Sequence, residues 1–258
     1  MRTKYKVIWL IFISCLLLAV CGTIVNLTIS YFDIETTKKV IPIQAALPYV
    51  LTMTLMAIFT RRQTLKIESP IPSISRFNPP MILTGALMIV AAHIASQPIE
   101  QHIPTNFFKS IPSITSSFSI NGAYAMGTFV IILPICQGWF FRGILQKNLA
   151  RIMPRWGAIV LSASIYTLFH LSTNQCFTIM ISHLVFAFIY NKYQSLSTVI
   201  GIHILFNGMT YFAFLLTGKR DPLTDFIATV STETSILIWA SSIILLIFCY
   251  GILSKRQA

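Results

Sequence analysis

The chain has 258 residues, 55% of them apolar and only 10% charged, with a mean hydropathy of +0.74. Soluble domains carry roughly a quarter charged residues, so this composition argues against a water-soluble globule and excludes disorder, a coiled coil and a disulfide-rich secreted domain. Nineteen Lys and Arg against seven Asp and Glu give a formal charge of +12. These basic residues punctuate long apolar runs and do not gather on one solvated face, which is the pattern of a polytopic membrane protein and not of a nucleic-acid binder.

Apolar stretches near the length of about 20 residues needed to cross a bilayer fall at approximately 7–30, 40–59, 81–95, 123–141, 156–171, 176–190, 196–216 and 235–253. The expectation is an all-α transmembrane bundle of about eight spans. The first span opens like a signal peptide, with Arg2, Lys4 and Lys6 before an apolar core. That core continues to Phe32, too long for a cleaved segment. Val20 is bulky where a lipoprotein cleavage box needs a small residue, so Cys21 reads as packed or lipid-facing. The third, fifth and sixth spans are short. Residues 96–121, rich in Ser, Ile and Pro, are expected to lie along the membrane surface as an outer loop.

With the N-terminus placed in the cytoplasm, alternation of the eight spans puts fourteen basic residues inside. Only Lys38, Lys39, Lys109, Lys219 and Arg220 fall outside. Of the acidic residues Glu68 alone falls inside. This asymmetry predicts cytoplasmic termini at both ends. The excess charge then reflects topology and contact with anionic lipid. A multi-pass integral membrane protein follows, resident in the cell membrane if the source is bacterial.

The five cysteines, Cys15, Cys21, Cys136, Cys176 and Cys249, lie in or beside apolar spans without paired spacing. They predict neither a disulfide framework nor a CxxC metal site. One membrane domain over 1–258 is expected, with no internal repeat and no phosphate-binding loop.

Ionisable and amide side chains within spans are costly and call for a partner or a function. The fourth span reads Pro134-Ile135-Cys136-Gln137-Gly138-Trp139-Phe140-Phe141-Arg142-Gly143, the fifth ends Tyr166-Thr167-Leu168-Phe169-His170, and the seventh carries His203-Ile204-Leu205-Phe206-Asn207. Tyr166 with His170, and His203 with Asn207, are four apart and share a helix face. A helical hairpin turning at Met153-Pro154 would set Gln137 and His170 level, each about 24 Å from the turn. Such a hairpin would have to project beyond the inner leaflet. His93 and His183 are expected only to hydrogen-bond neighbouring helices. Arg142 fits either a cytoplasmic flank or a place in a polar cavity. Pro134 and Gly138 are expected to bend the fourth helix.

The order and spacing of these groups over 122–211 resemble the CAAX protease and bacteriocin-processing family, also called Abi. Its members are intramembrane glutamic endopeptidases similar to the type II prenyl endopeptidases and to lysostaphin-resistance-type proteins. The family pattern is Glu-Glu-x-x-x-Arg, Phe-x-x-x-His, then His-x-x-x-Asn. Arg142, His170, His203 and Asn207 match it, Tyr166 replaces the Phe, and Gln137 and Gly138 stand where the family has its two glutamates. The resemblance implies that the first glutamate and the second-motif His activate a water, while the third-motif His and Asn stabilise an oxyanion. No metal and no cofactor are expected.

Gln137 can orient a water but cannot accept its proton. From Gln101 to Arg220 there is no Asp or Glu, and Glu100 falls on the expected outer loop. The leading expectation is a catalytically impaired family member that binds a peptide or membrane-protein partner through a retained polar cavity. The alternative is an active endopeptidase with His170 or His203 as general base. A Cys136 thiol paired with His170 is disfavoured, because Cys136 points about 100° away from Gln137 around a helix. Two histidines fall short of the three protein ligands that metal sites normally use. A small transporter ranks last, since the chain shows no two similar halves.

Overall fold

The computed structural model describes residues 2–31, 46–55, 78–100, 126–170, 175–218 and 222–255. These residues are almost wholly helical, and no strand occurs among them. In chain order the helices are α1 (Arg2–Tyr31), α2 (Ala46–Leu55), α3 (Pro79–Glu100), α4 (Met126–Leu149), α5 (Arg155–Leu168), α6 (Cys176–Tyr193), α7 (Leu196–Thr217), α8 (Pro222–Thr229) and α9 (Thr232–Lys255). Each apolar stretch expected to span overlaps one of α1 to α7 or α9. The stretches Val7–Val25, Pro79–Glu100, Met126–Leu149, Leu196–Thr217 and Thr232–Ser254 are long and apolar enough to cross a membrane. The all-helical, membrane-embedded class therefore stands. The short α8 was not anticipated. Most of the expected outer loop at 96–121 lies outside the described residues, but its first five residues continue α3, so Glu100 is helical.

Helix ends follow local chemistry. Asn78 caps α3 by accepting from the Met81 amide at 3.3 Å, and Pro79 and Pro80 occupy the first turn, where a missing N–H costs nothing. Ser195 caps α7 through the Thr198 amide at 3.2 Å. Gly218 closes α7 in the left-handed region at φ 66°, with its amide on the Phe214 carbonyl at 2.8 Å. Only Gln194 and Ser195 separate α6 from α7, a connection that makes the two an antiparallel pair.

α4 departs from regular α geometry. Met126–Ile132 and Gly138–Gln146 adopt π-type turns around a short α segment at Leu133–Gln137. Pro134 has no amide hydrogen to donate, and a proline inside a helix disrupts the turn before it. The widened turns accommodate it, and such π segments recur at functional sites. The constant rise assumed for the fourth span does not hold across Gly138–Gln146.

The described residues form two compact units, one within Met1–Ile74 and Ile114–Ser162, the other within Ser75–Ser113 and Ala163–Ala258. In the first, α1 packs on the C-terminal part of α4. Val7, Leu10, Ser14, Leu18, Cys21 and Val25 form its buried stripe at spacings of three and four. The opposite face exposes Trp9, Phe12, Leu16, Ile24 and Leu27. A helix apolar on its exposed face as well as its buried one suits lipid, not water.

In the second unit α3 is central and packs against α6, α7 and α9. Its small residues Gly85, Ala86, Ala91 and Ala92 let neighbouring backbones approach. A Cβ at Gly85 would collide with the side chain of Ile202, which precedes His203 and is fully buried. Gly85→Val is expected to lower the unfolding free energy in detergent by about 1–3 kcal/mol. Combining it with Ile202→Ala should recover part of that loss.

Candidate functional site

The positions that carry the resemblance divide between the two units. Gln137, Gly138 and Arg142 belong to the first, and His170, His203 and Asn207 to the second.

In the first unit Gln137 ends the α segment of α4 and is buried. Its side chain is hydrogen-bonded to Tyr49 of α2. The Tyr49 ring packs edge-on against Phe140 at 6.4 Å and Phe141 at 6.2 Å. Gly138 opens the wide turn immediately after Gln137 and is also buried. Arg142, within that turn, is only 2% exposed, which rules out a solvated cytoplasmic flank. Its Nη1 donates to Gln146 Oε1 at 3.3 Å and to Ser162 Oγ at 3.2 Å. Ser162 comes from α5, so the guanidinium ties α4 to α5. Such partners are needed because a buried cation without acceptors is strongly destabilising.

The second unit holds the imidazoles. His170 lies two residues past the end of α5, half-buried, with Nδ1 2.9 Å from the Tyr166 carbonyl oxygen. A carbonyl only accepts, so in the neutral ring Nδ1 carries the hydrogen and Nε2 the lone pair. The His170 ring stacks on the Tyr166 ring at 4.1 Å and 7°. Tyr166 also stacks on His183 of α6, at 3.2 Å and 16°. His183 meets His203 of α7 edge-on at 6.0 Å and 79°. Phe186, one turn along α6, touches both, 5.3 Å from His183 and 4.9 Å from His203. His203 is buried, and Asn207 is half-buried one turn further along α7. His93 of α3 faces Phe206, the neighbour of Asn207, at 6.2 Å.

The structure thus joins His170 to His203 through Tyr166 and His183. Two participants escaped the sequence reading. His183, expected to hydrogen-bond a neighbouring helix, also packs its ring between Tyr166 and His203, and the only signal for that was the general cost of an imidazole in an apolar span. Tyr49 carried no signal, since tyrosine is common at membrane interfaces for unrelated reasons.

Glu100, the acidic residue nearest the motif block in sequence, has a defined place. Its carboxylate accepts from the Thr178 amide at 2.7 Å, in the first turn of α6. The Ser96 and Thr178 hydroxyls bond each other at 2.8 Å beside it. This carboxylate satisfies a free amide and the positive end of the α6 dipole. Among the described residues no three His, Cys, Asp or Glu side chains form a metal-ligand group.

The Tyr49–Gln137 bond generates a stability test. Tyr49→Phe is expected to cost about 0.5–1.5 kcal/mol by removing one hydrogen bond of the buried Gln137 side chain. Tyr49→Phe combined with Gln137→Met should cost less than the sum of the single changes. A coupling of about 1 kcal/mol in detergent unfolding checks this.

Residues 119–209 match the family model described as Rce1-like, type II CAAX prenyl endopeptidase Rce1-like. No curated protein and no solved structure gives a significant match to the chain. The matched region includes Gln137, Gly138, Arg142, His170, His203 and Asn207 and ends two residues after Asn207. Residues 119–209 are thus similar to the type II CAAX prenyl endopeptidase family, in a chain whose helices include stretches long and apolar enough to cross a membrane.

Proposed function

We propose that this protein is a catalytically impaired CAAX-type protease relative that uses its retained polar groups to bind a peptide or a membrane-protein partner. The observation that carries the proposal is Gln137. At the position of the family's water-activating glutamate it presents an amide, which has no basic site for a proton at neutral pH. The block from Gln101 to Arg220 offers no acidic substitute, and the Glu100 carboxylate is engaged as the cap of α6.

His170, His203 and Asn207, the family-matched groups of the second unit, remain suited to grip a peptide carbonyl or amide. Arg142 and Gln137, in the first unit, hold α4 to α5 and α2. The protein acts as one membrane domain, 1–258, of about eight spans with cytoplasmic termini. The fourteen-to-five division of basic residues supports this topology.

A second reading rests on one contact. The Nδ1 bond to the Tyr166 carbonyl leaves Nε2 of His170 as a basic nitrogen. An imidazole in that state can accept a proton from water near neutral pH. The protein would then be an endopeptidase with a histidine base.

Cleavage of a fluorogenic C-terminal peptide library by purified protein in liposomes separates the two. Impairment predicts no specific cleavage by the wild type and retained peptide binding, weakened by His170→Ala or His203→Ala. Gln137→Glu should then create cleavage by returning a base, an effect typically worth about 10²–10⁴-fold. Specific wild-type cleavage abolished by His170→Ala would overturn impairment and establish the histidine base.

A further inference from the structure

His183 is assigned no role by the family motifs, yet it sits between two of them. It covers the face of Tyr166 in a near-parallel stack at 3.2 Å, while the opposite neighbour in the column, His170, stacks at 4.1 Å. Its edge-on contact with His203 at 6.0 Å continues the column from α5 through α6 to α7. Phe186 closes the side of this junction by touching both imidazoles. The separation of His170 from His203 is therefore filled by two flat rings, Tyr166 and His183.

We infer that His183 is a positioning residue: its ring is the spacer that sets the separation and orientation of His170 and His203. The inference deepens the proposed ligand-binding reading and rests on it only for its consequence in binding, not for the geometry.

Three features make the spacer directional. Tyr166 lies on α5 one turn before His170, and the Nδ1 bond to its carbonyl locks the His170 ring over it. α6 is held at its first turn by Glu100 and Ser96 of α3, which fixes where His183 lies along the helix axis. α3 also packs on α7, with Gly85 against Ile202 beside His203. With α6 and α7 both held against α3, the rings of Tyr166 and His183 define the imidazole spacing. A flat ring of similar size can fill that place. An aliphatic side chain cannot stack in parallel on Tyr166 and present an edge to His203.

The test uses the full-length protein with labelled histidines in lipid nanodiscs, together with His183→Leu and His183→Phe. His183→Leu is expected to shift the imidazole resonances of both His170 and His203, and His183→Phe to return them close to their wild-type positions. Unfolding temperature is followed in parallel, because ordinary core packing would change it without moving both signals. Unmoved His170 and His203 resonances in His183→Leu, or failure of His183→Phe to restore them, would overturn the inference.

Should His183→Leu not fold, the wild type still decides. Nuclear Overhauser contacts from the His183 ring to both Tyr166 and His203 are required, and the absence of either overturns the inference. None of these readouts uses a ligand or cleavage, so they can fail while the proposed function stands. The binding consequence is read separately: His183→Leu should weaken peptide capture about tenfold, with recovery in His183→Phe. Loss of capture in the wild type as well would count against the proposed function and leave the spacer intact.

Discussion

A polar side chain packed among apolar helices gives up its water and must find another protein group, and this requirement organises the structure. Most hydroxyls meet it locally. Ser14, Thr23, Thr84, Thr167 and Thr217 each donate to the carbonyl four residues earlier, at 2.7–3.0 Å. Others meet it across helices, as in the Trp239 indole on the Ala95 carbonyl, the Ser96–Thr178 pair and the Tyr193 hydroxyl on the Leu253 carbonyl. Among the described residues Thr52, three positions after Tyr49, is the exception, with a buried hydroxyl that has no hydrogen bond.

Under this constraint Arg142 and Gln137 do structural work whatever chemistry they perform. Arg142 joins α4 to α5 through Ser162, and Gln137 joins α4 to α2 through Tyr49. Leaving a buried donor or acceptor unmet costs about 1–3 kcal/mol, and an aromatic pair contributes about 0.5–1.5 kcal/mol beyond its burial. A handful of such terms is comparable to the 5–15 kcal/mol that typically separates folded from unfolded domains. A glutamine at position 137 suits this role, since an amide is cheaper to bury than a carboxylate.

On the reading proposed here, the polar groups that suit recognition persist and the group that would move a proton is gone. Donors and acceptors that hold a peptide remain useful without hydrolysis, because binding energy and bond cleavage draw on different interactions. Glu100 illustrates the distinction. It is acidic and adjoins the motif block in sequence, but its carboxylate is fixed on the first turn of α6. Its contribution is to hold the helix that carries His183.

The sequence by itself determined the helical, membrane-embedded class, because apolar runs of span length leave the backbone no other way to satisfy its hydrogen bonds. It also determined the within-helix pairs. Tyr166 with His170 follows from four-residue spacing, and the structure places them in contact. The helix caps at Asn78, Ser195 and Gly218, which the structure shows, also rest on local chemistry. Only the tertiary structure decided that Gln137 would meet Tyr49, that Glu100 would cap α6, and that His183 would stand between Tyr166 and His203. Each joins residues from separate helices, on faces that are apolar throughout. Such faces carry little periodic contrast to say which side turns inward. The π-type turns of α4 shift that register further, so cross-helix partners emerge only once the helices pack.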